Sequence, residues 1–156
     1  MRPRILIVDD ETNVRLNYRI TLEMEGYEVA EAASASQALH ELIEHPFSLA
    51  ILDMRLPGMD GLALLAKMRE VGITVPAMIV TAYSDVPHAV RAMKLGAIDF
   101  LQKPLRPEDL RRIVAEILDR HASQRESIKS RTSDHTSSRQ NDASISDCLN
   151  LRGSTW

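Results

Sequence analysis

The sequence predicts an α/β fold in which a doubly wound, five-stranded parallel sheet carries helices on both faces. Five short apolar segments alternate along the chain with five longer segments that have the apolar spacing of helices. The most informative strand covers residues 49–53, an apolar run that ends on the carboxylate of Asp53 and breaks at once into a Pro-Gly loop. Such a run predicts a buried strand that delivers Asp53 to the carboxyl edge of the sheet, where open α/β sheets place their sites.

The first part of the chain begins this alternation. Residues 5–8 are all apolar and mostly β-branched, which is typical of a central strand buried on both faces. A helix is expected from Thr12 up to Gly26, because the segment between them contains neither Gly nor Pro. Residues 27–32 alternate apolar with polar side chains and so predict a strand nearer an edge of the sheet. A second helix is expected over residues 36–45.

The second part of the chain continues the pattern. The remaining elements are predicted at residues 62–72, 76–80, 86–95, 98–102 and 107–120. Ser84 or Asp85 can cap the fourth helix through a side-chain oxygen. Pro107 suits the first turn of the fifth helix, where the missing N–H has no partner to lose. Five helices therefore alternate with five strands, as a parallel sheet covered on both faces requires.

Composition and charge narrow the classes of function. The formal net charge of -3 is small and has the wrong sign for a nucleic-acid-binding protein, so direct nucleic-acid binding is not expected. No segment resembles a membrane span or a signal peptide, so a cytoplasmic protein is expected. The single cysteine, Cys148, has no partner for an internal disulfide. We expect one domain over residues 1–121, followed by a disordered Ser/Thr-rich tail over residues 122–156.

Polar side chains follow four of the five predicted strands. Asp9 and Asp10 close the first strand, Asp53 the third, Thr81 the fourth and Lys103 the fifth. Because parallel strands end at the same edge of a sheet, these groups should converge in one pocket. Three neighbouring carboxylates repel one another unless a cation lies among them, and Mg²⁺ is the hard ion that prefers such oxygen ligands. A carboxylate beside a metal ion, an ammonium and a hydroxyl has the parts of a phosphoryl acceptor.

The motifs at these strand ends resemble the receiver domain of bacterial two-component response regulators. They are the acid pair at 9–10, DMRLPGMDG at 53–61, TA at 81–82 and KP at 103–104, and the resemblance covers residues 4 to about 120. The segment at 85–104 resembles the receivers of nitrogen-regulation-type transcriptional activators. The resemblance implies the strand order 2-1-3-4-5 of flavodoxin-like folds. It also implies a signalling domain that assists its own phosphorylation and dephosphorylation and is not otherwise an enzyme.

The resemblance implies a role for each group around the predicted acceptor. Asp53 corresponds to the aspartate that takes a phosphoryl group from a sensor histidine kinase or from small donors such as acetyl phosphate. Asp10 corresponds to a direct Mg²⁺ ligand and Asp9 to an acid that acts on the ion through water. The main-chain carbonyl of Arg55 corresponds to a further ligand of the ion. Lys103 corresponds to the lysine that binds the phosphoryl group.

The resemblance also implies a conformational switch and its output. Thr81 and Phe100 correspond to the switch pair, and the bond between Lys103 and Pro104 is expected to be cis. We expect Arg55 and Tyr83, which are both bulky, to shield the aspartyl phosphate from water and so to tune its lifetime. The output surface would be the fourth helix, the fifth strand and the fifth helix, through which phosphorylation could also drive a homodimer.

Two other classes of function share this chain topology, and an unphosphorylated interaction module with the receiver fold is a further alternative. A phosphatase or phosphotransferase that forms an aspartyl phosphate would need a second acid two residues after the nucleophile, where this chain has Arg55. A flavin-binding module would need a Ser/Thr/Gly-rich loop after the first strand. The residues there are Asp9, Asp10 and Glu11, which would repel a flavin phosphate.

Overall fold

Strands and helices alternate along the whole of the described chain. The computed structural model describes residues 2–83 and 85–137, with side chains as far as residue 122. The strands are β1 (Arg4–Val8), β2 (Glu28–Ala32), β3 (Leu49–Leu52), β4 (Ala77–Thr81) and β5 (Asp99–Gln102). The helices are α1 (Thr12–Glu23), α2 (Ala35–Glu44), α3 (Gly61–Glu70), α4 (Val86–Lys94) and α5 (Pro107–Ser137).

The five strands form one parallel sheet in the order β2-β1-β3-β4-β5. The predicted fold class and strand order are therefore confirmed, and β2 lies at an edge as its alternating pattern indicated. The chain reverses direction across the sheet between β2 and β3, so β1 and β3 become neighbours at the centre. This reversal is the point at which doubly wound sheets open a crevice for ligands.

The alternation of side chains along the central strands builds two hydrophobic layers. In β1, Ile5 and Ile7 face the layer formed with α1 and α5, whereas Leu6 and Val8 face the layer formed with α2, α3 and α4. These four side chains are at most 1% exposed. Burial on both faces explains why the central strands are continuously apolar, and it leaves the strand ends as the place for polar side chains.

Side-chain caps begin three of the helices. The hydroxyl of Ser34 accepts a hydrogen bond from the backbone N–H of Gln37 at 3.2 Å, so α2 begins one residue before the predicted position. The carboxylates of Asp60 and Asp85 cap α3 and α4 in the same way. Asp85, one of the two candidate caps for α4, is its N-cap, whereas Ser84 lies outside the described residues.

The end of α5 differs from the prediction. The fifth helix was predicted to end near residue 120, but α5 continues to Ser137. The division into a domain over residues 1–121 and a disordered tail stays a prediction. The chain contains neither Pro nor Gly between Pro107 and Gly153, so nothing stops the helix locally. Leu118 ends the first compact unit of the chain, and Asp119 begins a second. The part of the predicted tail from residue 138 onward, with Cys148, lies outside the described residues.

No helix within the described part of the chain is both long enough and apolar enough to cross a lipid bilayer.

Candidate functional site

The register of the sheet brings the two acidic strand ends side by side. Val8 of β1 pairs with Leu52 of β3, and the backbone N–H of Asp53 donates to the carbonyl of Val8 at 2.8 Å. Asp9 and Asp53 therefore follow adjacent strands at the same level. On the other side of β3, the N–H of Lys103 donates to the carbonyl of Thr81 at 2.8 Å, which fixes Lys103 at the end of β5.

The three predicted aspartates converge at this edge. Each of Asp9, Asp10 and Asp53 places a carboxylate oxygen within 4.8 Å of one on each of the others. Asp9 and Asp53 are 2% and 7% exposed, whereas Asp10 is exposed. Buried carboxylates in contact are costly because neither water nor distance weakens their repulsion. The cluster therefore favours the presence of a cation.

Lys103 supplies one positive charge to this cluster. Its Nζ lies 2.7 Å from Oδ2 of Asp9 and 3.6 Å from Oδ2 of Asp53. Burial alone would lower the pKa of Lys103, but the hydrogen bond to Asp9 and the charges of Asp53 and Asp9 outweigh burial, and the pKa is raised. The lysine is therefore an ammonium at neutral pH and can bind an anionic group that enters the cluster.

Asp53 is held in an environment that disfavours its charge. Burial and then the negative charge of Asp9 raise the pKa of Asp53 above its usual range. The charge of Lys103 and the backbone N–H groups of Met54 and Arg55 act in the opposite direction but do not cancel this effect. The ammonium of Lys103 therefore does not fully compensate the negative charges of Asp9 and Asp53.

Replacing Asp53 with asparagine is expected to raise the melting temperature at pH 7 in buffer that contains EDTA. The raised pKa means that the folded state holds the Asp53 proton more tightly than the unfolded state does, so the contribution of Asp53 to stability is greatest at low pH. That contribution is lost as the pH rises through the folded-state pKa. The excess of the Asp53→Asn melting temperature over that of the wild type should therefore decrease as the pH falls towards about 4, near the ordinary Asp pKa.

Thermal unfolding followed by circular dichroism measures this difference. Mg²⁺ should reduce the difference in melting temperature between Asp53→Asn and the wild type. The ion compensates the negative charge of Asp53, and the asparagine variant has no such charge to compensate. A lower melting temperature for Asp53→Asn than for the wild type at pH 7 in EDTA would contradict the expectation.

The rim of the site contains Arg55 and Tyr83. The guanidinium carbon of Arg55 lies 3.5 Å from the centre of the Tyr83 ring, a close cation–π contact. Both side chains border a cavity of about 200 Å³. The other residues that line it are Asp10, Glu11, Asp53, Ala82 and Lys103. The two predicted tuning residues therefore form one wall of the space in front of Asp53.

The two predicted switch residues occupy different positions. Thr81 is fully buried at the end of β4, and its hydroxyl oxygen accepts a hydrogen bond from the N–H of Tyr83 at 3.1 Å. Phe100 pairs with Ile79 further down the sheet and lies beside Val86 of α4 and its N-cap residue Asp85. The structure thus places Thr81 at the site and Phe100 away from it, next to α4. The bond between Lys103 and Pro104 is cis.

Comparison with known proteins agrees with this geometry. A family model for the response regulator receiver domain matches residues 5–115. The chain belongs to the response regulator receiver family. This receiver is 47% identical over 116 residues to the alginate biosynthesis transcriptional regulatory protein AlgB of Pseudomonas aeruginosa. The match covers 74% of this chain and 26% of AlgB, so the chain spans about a quarter of the length of that regulator.

Solved structures share the receiver fold. A CheY-like receiver domain protein from Methanospirillum hungatei is 35% identical, with a TM-score of 0.76 over 80% of this chain and 99% of that one. NtrX from Brucella abortus is 31% identical, with a TM-score of 0.76 over 83% of this chain and 29% of that one. NtrX and AlgB support the predicted resemblance to nitrogen-regulation-type receivers, and this chain is accordingly a signalling domain of response regulators.

Receivers bind Mg²⁺ at an acidic pocket, and the residues of this receiver fit the ion. Both carboxylate oxygens of Asp9 are already engaged, one by the N–H of Glu11 at 2.9 Å and the other by Lys103. Among the described residues, the Asp10 carboxylate accepts no hydrogen bond and joins no ion pair, so its oxygens are free for a metal ion. This difference fits Asp10 as a direct ligand and Asp9 as an acid that acts through water.

Two residues of this receiver contribute to the site without having been predicted. Gly61 approaches the main chain of Asp53 so closely that a Cβ atom at this position would overlap the Asp53 carbonyl oxygen. Its place at the end of the DMRLPGMDG motif was the available signal. Arg15 donates a hydrogen bond to the main-chain carbonyl of Asp9 at 2.7 Å. The acceptor is a main-chain carbonyl, which every residue has, so no pattern of side chains in the sequence predicts this contact.

Proposed function

We propose that this receiver accepts a phosphoryl group on Asp53 in a Mg²⁺-dependent reaction and changes conformation in response. The donor is the phosphohistidine of a sensor histidine kinase, or a small acyl phosphate such as acetyl phosphate. The observation that carries the proposal is the meeting of Asp9, Asp10 and Asp53 with Lys103 at one sheet edge, beside a cavity that opens in front of Asp53.

The proposed reaction is an in-line transfer to a carboxylate oxygen of Asp53. A new P–O bond forms as the P–N bond of the donor breaks, and the electron pair of that bond returns to the imidazole nitrogen. Mg²⁺ held by the cluster of Asp9, Asp10 and Asp53 would neutralise negative charge on the phosphoryl oxygens. Lys103, which now pairs with Asp9 and Asp53, binds the same oxygens from the other side. Burial and the charge of Asp9, which raise the pKa of Asp53, leave its carboxylate poorly compensated until a cation binds.

The Thr81 hydroxyl and Phe100 carry the proposed change to the surface. The hydroxyl group turns from the N–H of Tyr83 to a phosphoryl oxygen, and Phe100 turns inward beside α4. Support for α4 as an output surface comes from Val86, Val90 and Met93, which are 74%, 46% and 50% exposed on one helix.

We propose that phosphorylation drives pairing of two chains through the surface formed by α4, β5 and α5. Sedimentation with and without beryllofluoride, a phosphoryl analogue, tests this. Identical sedimentation would count against pairing. Since AlgB is named as a transcriptional regulatory protein, we also propose that the output of this receiver is control of transcription.

Removing either side chain of the Arg55–Tyr83 wall is expected to shorten the life of the phosphorylated state. The stacked pair borders the space through which water would attack the phosphorus in line, so Arg55→Ala or Tyr83→Ala should speed hydrolysis by several fold. The decay of the phosphorylated chain after removal of the donor measures the rate. Ile43→Ala, on the exposed surface of α2, is the control and should keep the wild-type rate. An unchanged lifetime in both wall variants would exclude shielding.

Intact-mass spectrometry after incubation with acetyl phosphate and Mg²⁺ tests the proposed function. The wild type should gain one phosphoryl adduct that depends on Mg²⁺, and Asp53→Asn should gain none under the same conditions. An adduct that persists in Asp53→Asn would contradict the assignment of the acceptor. Absence of an adduct in the wild type, together with no transfer from a phosphorylated kinase, would indicate an interaction module that works without phosphorylation.

A further inference from the structure

We infer that Arg15 is a positioning residue for the Mg²⁺ site, acting through the main chain that joins Asp9 to Asp10. The inference rests on the proposed function, because it concerns the ion that the acidic cluster would hold. Arg15 does not point its charge at a carboxylate of the cluster. Its Nη1 donates to the main-chain carbonyl of Asp9 at 2.7 Å, and its Nε donates to Oε1 of Glu31 at 3.0 Å.

Glu31 orients the Arg15 guanidinium from the neighbouring strand. It lies on β2, which pairs with β1, and its other oxygen accepts a hydrogen bond from Arg19 at 2.7 Å. Burial alone would raise the pKa of Glu31, but the hydrogen bonds from Arg19 and Arg15 outweigh burial and lower it. The carboxylate is therefore charged at neutral pH. With 14% of its side chain exposed, Arg15 is largely enclosed in this arrangement.

The Asp9 carbonyl is important because it belongs to the same rigid peptide unit as the N–H and Cα of Asp10. The N–H of Asp9 is fixed by the carbonyl of Ala32 at 3.1 Å, and the carboxylate of Asp9 is fixed by Glu11 and Lys103. The Asp10 side chain has no such partner within the described part of the chain. Its position is set by its backbone alone, and Arg15 holds the peptide unit from which that backbone starts.

A positioning role and a purely electrostatic role predict effects of opposite sign on ion binding. A guanidinium near the acidic cluster repels a divalent cation, so removing a charge that acts only at a distance would tighten Mg²⁺ binding. Removing a clamp that orients a metal ligand would weaken it, because groups that orient ligands typically contribute 10- to 100-fold to affinity.

Arg19 provides a matched control. It lies one helical turn after Arg15, and it binds the same Glu31 carboxylate. It also pairs with Glu23 on the surface of α1 at 3.2 Å, away from the acidic cluster. Arg19→Ala therefore removes a cation and a partner of Glu31 but leaves the contact with the Asp9 carbonyl intact.

The experiment is a titration of the ¹⁵N-labelled full chain with MgCl₂, without phosphodonor, followed by amide chemical shifts. We expect Arg15→Ala to raise the half-saturating Mg²⁺ concentration by about 10-fold and Arg19→Ala to leave it close to wild type. In a second measurement with acetyl phosphate, Arg15→Ala should need more Mg²⁺ for half-maximal phosphorylation but recover most of the wild-type rate at saturating Mg²⁺.

Three results would overturn the inference: tighter binding in Arg15→Ala, unchanged binding, or equal weakening in both arginine variants. If Arg15→Ala does not fold, Arg15→Lys replaces it. One ammonium cannot donate in a fixed plane to both Asp9 and Glu31, so weaker binding is again expected and unchanged binding overturns the inference. If the amide chemical shifts of the wild type do not saturate with MgCl₂, the proposed function is overturned as well. If the wild type binds Mg²⁺ and the Arg15 variant binds it equally well, this inference alone is overturned.

Discussion

Lys103→Met is expected to lower the free energy of unfolding by about 3 kcal/mol at pH 7 in EDTA, a cost typical of breaking a buried ion pair by removing one partner. The ammonium forms a 2.7 Å contact with Asp9, whose side chain is only 3% exposed, and no other cation replaces it among the described residues. The loss should diminish at low pH, because the pKa of Asp53 is raised and its carboxylate, 3.6 Å from the ammonium, becomes neutral there. Chemical denaturation at several pH values measures it.

The same variant should phosphorylate about 100-fold more slowly with acetyl phosphate at saturating Mg²⁺, since loss of a group that stabilises transition-state charge typically has an effect of this size. Lys67→Met is the control. Its ammonium lies 3.9 Å from Glu70 at the surface of α3, and such pairs contribute at most about 1 kcal/mol. Equal stability of Lys103→Met and Lys67→Met would show that the buried pair of Lys103 and Asp9 contributes no more than a surface pair.

Gly61→Ala is expected to damage both the fold and the site. The added Cβ would overlap the carbonyl oxygen of Asp53, and Gly61 cannot move away without losing the hydrogen bond from its N–H to the carbonyl of Met54 at 2.7 Å. Overpacking of this kind typically costs about 1–3 kcal/mol. Because the strain falls on the main chain of Asp53, the rate of phosphorylation should fall with the stability.

Gly58→Ala separates these two effects. Gly58 lies in the same loop with a φ of 79°, and open space surrounds the position of its missing Cβ. The alanine variant should lose about 1 kcal/mol through its backbone conformation and should keep the wild-type rate of phosphorylation. A Gly61→Ala variant that phosphorylates at the wild-type rate would show that Asp53 tolerates displacement of its own carbonyl.

The edge of the sheet was predictable because it follows from topology. Once residues 5–8 and 49–53 are identified as parallel strands, Asp9 and Asp53 must end at the same level, and the structure brings their carboxylates together. Lys103 follows by the same argument. The residue that follows each strand could be identified directly from the sequence. These residues lie at one edge because the ends of parallel strands share an edge, whatever helices connect them.

The contacts that support this edge could not be predicted. The bond from Arg15 ends on a main-chain carbonyl, and the stacking of Arg55 on Tyr83 joins two loops whose conformations follow no periodic pattern. The extent of α5 was misjudged for a different reason. Composition indicates whether a segment can join a core but does not fix where a helix ends, and the segment from residue 121 to Ser137 contains neither Pro nor Gly as a stop signal.

Locating the phosphoryl group in the chain tests phosphorylation at Asp53 directly. After incubation of the wild type with acetyl phosphate and Mg²⁺, borohydride reduction converts an aspartyl phosphate to homoserine, and tandem mass spectrometry of the peptides identifies the reduced residue. We expect homoserine at position 53 and an unmodified acid at positions 9 and 10. Homoserine at Asp9 or Asp10, or an adduct that forms equally well without Mg²⁺, would contradict the proposed Mg²⁺-dependent phosphorylation of Asp53.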